Sequence, residues 1–317
     1  MSIVTTLGFP RIGRRRELKK ALEAHWNGEL DAAGLHAAAA DLRHRHRSLM
    51  QAAGASVVPV NDFSLYDHVL DHALLFDAVP ASHRPLLQAD PLAGYFALAR
   101  GHQGGGFDLR ALEMTKWFDT NYHYLVPELA PNQRFGLAGN KPLVELAEAR
   151  AQGLRARPVL LGPVSFLRLS KRTDGGDPLD LLDALLPAYG ELLERLLDAG
   201  AEWVQMDEPC LALDHGERLE AAFVAAYAAL ACGPRPHLLL ANYFGPLGPN
   251  LDLATRLPVQ GLHLDLVRGG GELDAVLSRL PGDRVLSAGI VDGRNVWRDD
   301  LGRALAALRP ALDRIGR

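Results

Sequence analysis

Glu202-Trp203-Val204-Gln205-Met206-Asp207-Glu208-Pro209 decides the fold. A short apolar run passes directly into two carboxylates and a proline, which reads as a buried strand ending in a polar loop. An Ala-rich helical segment follows over 217–230, and the alternation continues in both directions. Upstream, Arg157-Pro158-Val159-Leu160-Leu161-Gly162-Pro163 reads as a strand, and 179–197 as a helix opened by Asp177-Pro178 and closed near Gly200. Downstream, strands over 237–242, 261–267 and 284–290 alternate with helices over 251–256, 272–280 and 301–315. Strand and helix in strict succession mark βα units around a parallel sheet.

The N-terminal half follows the pattern less regularly, with a strand over 3–6, helices over 15–26 and 30–53, and a strand over 56–60 leading into Asn61-Asp62-Phe63. An insertion over 80–112 contains Gly104-Gly105-Gly106, read as a flexible connection because the Lys-Ser/Thr of a phosphate loop does not follow it. Polar residues gather just after the strands: 8–11, Asn61-Asp62, Asp207-Glu208, Asn242-Tyr243, 263–265 and 292–295. In a (β/α)8 barrel such positions converge on one mouth. Seven strands are identifiable, so either one is hidden in the first half or the last is lacking. The expected fold is α/β, one TIM-type (β/α)8 barrel over 1–317 without its last strand.

A chain of 317 residues, 48% hydrophobic and 23% charged, can bury a sizeable core. Its net charge of −4 argues against nucleic-acid or membrane partners engaged through bulk electrostatics. Two cysteines, Cys210 and Cys232, are too few for a disulfide framework and fit a reducing cytoplasm. No uncharged apolar run approaches membrane-spanning length, and 1–10 lacks the pattern of a secretory leader.

Two clusters point to a small anionic ligand. Leu7-Gly8-Phe9-Pro10-Arg11-Ile12-Gly13 runs into Arg14, Arg15, Arg16, Glu17, Leu18, Lys19 and Lys20, which puts cations in the first turns of a helix, where N–H groups and dipole favour anions. The bland alternative is a solvated helix face. Glu113-Met114-Thr115-Lys116-Trp117-Phe118-Asp119-Thr120-Asn121-Tyr122-His123-Tyr124 places the Lys116 ammonium beside Trp117, Tyr122 and Tyr124 as stacking surfaces, or else these rings pack under a long loop. Asp207 and Glu208 suit acid–base work, but a carboxylate at a strand end more often caps the next helix or pairs with an arginine. His263 and Asp265 share a strand face, as a hydrogen-bonded interior pair or as metal ligands. Zinc-type His/Cys spacing is absent, and Cys210 reads as a small buried thiol.

Both clusters resemble the amino-terminal half of cobalamin-independent methionine synthases, as do Pro59-Val60-Asn61-Asp62-Phe63, Tyr66-Asp67-His68-Val69, the 203–209 strand, Leu286-Ser287-Ala288-Gly289 and Gly293-Arg294-Asn295-Val296-Trp297-Arg298. The likeness covers essentially the whole chain. Members of that family are 5-methyltetrahydropteroyltriglutamate–homocysteine methyltransferases built from two face-to-face barrels related by duplication. The resemblance implies that a carboxy-terminal barrel, absent here, holds zinc through His, Cys, Glu and Cys and activates homocysteine as a thiolate.

The amino-terminal barrel would grip 5-methyltetrahydropteroyltri-L-glutamate, with tail contacts mapping onto Arg16, Glu17, Leu18, Lys19 and Lys116. This chain would then carry no catalytic residue, no metal and no cofactor of its own, and would need the catalytic barrel as its partner. Asp207-Glu208-Pro209 resembles its counterpart in that barrel, implying a relic of duplication, and 133–141 departs from the family pattern. Two other readings stand beside this one: a stand-alone folate-binding module docking on a separate barrel, and an autonomous barrel hydrolase or lyase using Asp207 and Glu208.

Overall fold

The computed structural model describes residues 3–214 and 216–315. At its centre lie β1 (Val58–Val60), β2 (Ala156–Leu161), β3 (Trp203–Asp207), β4 (His237–Ala241), β5 (Gly261–Asp265) and β6 (Val285–Gly289), side by side in chain order. Each neighbouring pair is parallel, so each connection must cross back over the sheet, and helices do this. The sheet curls into a half-barrel, which bears out the α/β barrel expectation.

Register decides which side chains face where. Leu160, Met206, Leu240 and Leu262 share one line across the strands and are each 0% exposed, packed beneath the helices. Leu161, Asp207, Ala241, His263 and Ser287 form the adjacent line, and the period-two alternation of a strand turns them to the opposite, interior face. Arg157 and Gln205 fall on that same interior face. The helix side is thus apolar while the interior carries polar groups.

Helix Leu182–Asp198 shows how the outer layer is held. Leu182, Leu185, Tyr189, Leu192, Leu193 and Leu196 recur at helical spacing and are buried. A leucine buried as fully as Leu185 contributes roughly 2 kcal/mol.

Several sequence expectations need correction. Residues 3–6 form no ladder strand, so the sheet has six strands among the described residues, not seven. Among the described residues the segment is tied instead by the Ser56 N–H to the Val4 carbonyl at 2.8 Å, by the Thr5 hydroxyl to the Val57 carbonyl at 2.7 Å, and by the interior side chains of Arg157 and Gln205, which donate to the Thr6 and Leu7 carbonyls. The insertion over 80–112 folds into helices Ala81–His83, Arg84–Ala89 and Pro91–Arg100 and a hairpin of His102–Gly104 with Phe107–Leu109. Gly104, Gly105 and Gly106 have φ of 133°, 58° and 85°, so they make the hairpin turn rather than a flexible connection. Among the described residues no helix is long and apolar enough to cross a membrane.

Candidate functional site

The cationic entry is built by a bend before α1 (Glu17–Trp26). Arg16 does not lie in the first helical turn as expected; it precedes the helix in the left-handed region, φ 61° and ψ 36°. Glu17 stabilises this bend, because its carboxylate accepts from the Arg15 N–H at 2.8 Å, which holds it below the usual carboxylate range, and lies 3.4 Å from Arg45. Gly13, at φ 80°, allows the close pass: a Cβ there would sit 2.3 Å from the Glu17 carboxylate.

Leu18 is 1% exposed and packs with Leu22, Leu35, Leu42 and Phe63, and its N–H is taken by the Ile12 carbonyl. It anchors the turn and has no side-chain face for a ligand. Arg14, Arg15, Arg16, Lys19 and Lys20 all point into solvent. Lys19 is shared with Glu23 at 3.3 Å, whereas the side chains of Arg14, Arg15, Arg16 and Lys20 have no ion-pair partner among the described residues. Arg43 and Arg47 nearby are different, since both are bound to Glu148, at 2.6 and 3.0 Å.

Lys116 ends the first strand of a hairpin, Met114–Lys116 paired antiparallel with His123–Leu125, and is exposed. The aromatic wall expected around it is largely structural. Trp117 and Tyr124 are 8% and 6% exposed and pack edge-on to each other, with His68 against Trp117 at 4.4 Å. Tyr122 alone of the three rings stays open, at 66%.

The two carboxylates that end β3 part company. Glu208 is 0% exposed and accepts from the N–H groups of Ser165 at 2.8 Å and Val164 at 3.3 Å and from the Tyr227 hydroxyl at 3.1 Å. It caps the start of helix Pro163–Arg168, which belongs to the preceding βα unit, and Gly162 makes room, for a Cβ there would lie 2.1 Å from Glu208. Asp207 turns to the interior, accepting from Gln205 at 2.6 Å and the Tyr243 hydroxyl at 3.0 Å. Burial pushes both carboxyls up to about 7. The capping alternative therefore holds for Glu208, and its acceptor oxygens are already engaged.

Burial also brings Arg157 down to about 10, although the charges of Asp207 and Asp62 pull it back up. Asp62, raised to about 6 by burial and the Glu145 charge, accepts from the Phe9 N–H at 2.7 Å and so fixes the N-terminal loop. The expected His263–Asp265 pair does not form. His263 meets Ser287 at 2.8 Å and is lowered to about 3 by burial, while Asp265 accepts from Val267 and Arg268 in its own loop.

Sequence reading missed Arg157 as an interior charge and missed Lys141, which holds Asn61 at 2.8 Å, Glu145 at 3.1 Å and Asp71 at 3.5 Å beside a cavity of about 510 Å³. A charged residue opening an otherwise apolar strand was the available signal for Arg157. For Lys141 the only local signal was Glu145 four residues on in the same helix, since Asn61 and Asp71 come from distant segments. Among the described residues no three His, Cys, Asp or Glu side chains gather in a metal-binding arrangement. Cys210 is buried as expected, with its thiol pushed up to about 12.

Known proteins repeat both the sequence and the fold. The chain is 63% identical to a 5-methyltetrahydropteroyltriglutamate–homocysteine methyltransferase of Xylella fastidiosa, over 100% of this chain and 42% of that protein. It is 57% identical to the like-named protein of Acidiphilium cryptum, over 100% of this chain and 41% of that one. It therefore spans about two-fifths of the length of these relatives. A B12-independent methionine synthase structure from Shewanella sp. W3-18-1 shares the fold with a TM-score of 0.68 at 14% identity, covering 90% of this chain and 80% of that one. A methyltransferase from Methanosarcina mazei follows with a TM-score of 0.59 at 13% identity, covering 98% and 84%. The family described as cobalamin-independent synthase, N-terminal domain, matches residues 3–316, and the chain belongs to that family.

Proposed function

We propose that this chain is the folate-gripping part of a cobalamin-independent methionine synthase. The whole enzyme would move the methyl group of 5-methyltetrahydropteroyltri-L-glutamate to the sulfur of L-homocysteine, giving methionine. One observation carries the reading: among the described residues the exposed side chains of Arg14, Arg15, Arg16 and Lys20 before and in α1 have no ion-pair partner and Lys19 has only the exposed Glu23, while Arg43 and Arg47 nearby are paired. A triglutamate tail is a string of carboxylates, and Arg16, Lys19 and Lys116 would pair with it through charge-assisted hydrogen bonds. Glu17 and Leu18 would act through the backbone they shape, the first by holding the bend at Arg16 and the second by anchoring α1.

Zinc chemistry does not fit the residues present. Among the described residues no three His, Cys, Asp or Glu side chains gather in a metal-binding arrangement, and Cys210 is held as a buried thiol, so no step through a metal is assigned to this chain. Homocysteine activation belongs, in this reading, to a carboxy-terminal barrel, and this chain alone would not turn over. Two unlinked cysteines support a cytoplasmic setting.

Titration with triglutamyl 5-methyltetrahydrofolate at low and moderate salt tests the proposal. Binding should weaken as salt rises and on Arg16→Ala or Lys116→Ala. Affinity indifferent to salt and to both substitutions would remove the basis of the reading.

A further inference from the structure

Across the end of the sheet, two loops reach over to hold the hairpin that carries Lys116. Arg294, just beyond β6, donates through one guanidinium nitrogen to both carboxylate oxygens of Asp119 at 2.9 and 3.0 Å, and through another to the Asp119 carbonyl at 3.2 Å. Its guanidinium also lies 5.5 Å from the ring centre of Phe244, just beyond β4. Phe244 stacks on Phe118 at 5.2 Å, and Phe118 is the residue before Asp119. Both phenylalanines have positive φ, 51° and 79°, a strained backbone that persists only where surroundings over-determine it. Arg294 is itself fixed, since Asp292 accepts from its N–H at 2.9 Å and from Asn295 at 2.8 Å.

We propose that Arg294 is a positioning residue for Lys116: with Asp119 and the Phe118–Phe244 stack it latches the hairpin turn to the barrel, so that the ammonium is presented in one place. This rests on the folate-tail reading given above. Two physical effects combine. The turn is already closed internally, by Trp117 N–H to the Tyr122 carbonyl at 2.8 Å and the Thr120 hydroxyl to the Trp117 carbonyl at 2.6 Å, so the latch moves it as one piece. Asp119 is also a negative charge near Lys116 in the chain and would repel an incoming polyanion; the Arg294 guanidinium neutralises it. An exposed ion pair alone contributes little, but contact with both carboxylate oxygens, a carbonyl and an aromatic face fixes the geometry.

The test uses the full chain with Arg294→Ala, Arg294→Lys, Lys116→Ala and the exchanged pair Arg294→Asp/Asp119→Arg. Amide hydrogen exchange over 117–122 should quicken about five- to ten-fold in Arg294→Ala, less in Arg294→Lys, and recover in the exchanged pair. Affinity for triglutamyl 5-methyltetrahydrofolate should fall roughly three- to ten-fold in Arg294→Ala, with monoglutamyl 5-methyltetrahydrofolate unaffected, a tail-length dependence that general loosening of the fold does not produce. Unchanged exchange in Arg294→Ala would show that there is no latch. Faster exchange with undiminished triglutamate affinity, while Lys116→Ala weakens it, would overturn the positioning role alone. No effect of Lys116→Ala would instead sink the folate-tail reading and the role of Arg294 with it.

Discussion

Arg14, Arg15 and Arg16 stand in solvent ahead of α1, whereas Asp207 and Glu208 are drawn into the end of β3 and consumed there. Both regions look equally functional in one dimension: a run of charge at the edge of a regular element. They differ in how their charge is satisfied. Glu208 spends its oxygens on two backbone N–H groups and a tyrosine hydroxyl, so it is part of the architecture. The arginine side chains have no ion-pair partner among the described residues, so folding leaves their charge unpaired. Charge alone does not mark a site; in the proposed reading, charge left over after folding is what the ligand meets.

Three measurements probe that contrast, and the largest effect belongs to Glu208. Glu208→Ala strands the N–H groups of Ser165 and Val164 and the hydroxyl of Tyr227 in the interior, and should lower unfolding free energy by about 3 kcal/mol in urea titration while leaving tail binding in surviving folded protein unchanged. A loss below about 1 kcal/mol would mean that the carboxylate is dispensable to the fold and open to another role.

A smaller effect is expected from pH. Burial raises the folded-state pKa of Asp207 from 3.8 to about 7. Folding therefore favours its protonated form, a contribution complete below about pH 4 and lost as pH rises through 7. Asp207→Asn cannot ionise and escapes that loss. Relative to the parent, the variant should gain on the order of 2 kcal/mol in unfolding free energy between acidic and slightly alkaline pH, about half of what the full shift gives, because buried sites respond with an effective dielectric well above that of a dry interior. A constant difference across that range would show that Asp207 is as well solvated as the entry arginines.

The smallest stability effect should come from the entry itself. Arg16→Ala with Lys19→Ala is expected to shift unfolding by no more than about 0.5 kcal/mol, since neither side chain is buried and Lys19 holds only an exposed pair with Glu23. Its effect on triglutamate affinity should be several-fold all the same. Equal losses in stability and affinity would erase the distinction between the two regions.

Legibility in the sequence followed the range of the interactions. The five later strands and most of their helices were readable because apolar runs bounded by turn residues are local patterns; helix 251–256 was placed to the residue, whereas helix Pro163–Arg168 was not read and Pro163 was taken into the strand before it. Residues 3–6 carry the same apolar signature, but ladder formation depends on a neighbouring strand, and here the segment meets isolated backbone groups of Ser56 and Val57 and the Arg157 side chain of β2 instead. Arg16 was placed inside a helix because its left-handed backbone depends on Glu17 and Gly13 acting together. The rings around Lys116 looked like a ligand wall because composition does not reveal which face of Trp117 is covered by His68.

By itself the sequence determined the succession of strands and helices, the apolar helix-facing side of the sheet and the concentration of cations at 14–20, all properties of neighbouring residues. Tertiary structure alone decided which charges remain unspent. Glu208 finds donors more than forty positions earlier, at Ser165 and Val164, and Arg294 finds Asp119 across 175 positions. The physical reason is that a charge is satisfied by whatever the fold brings within about 3 Å, a distance that sequence separation does not measure.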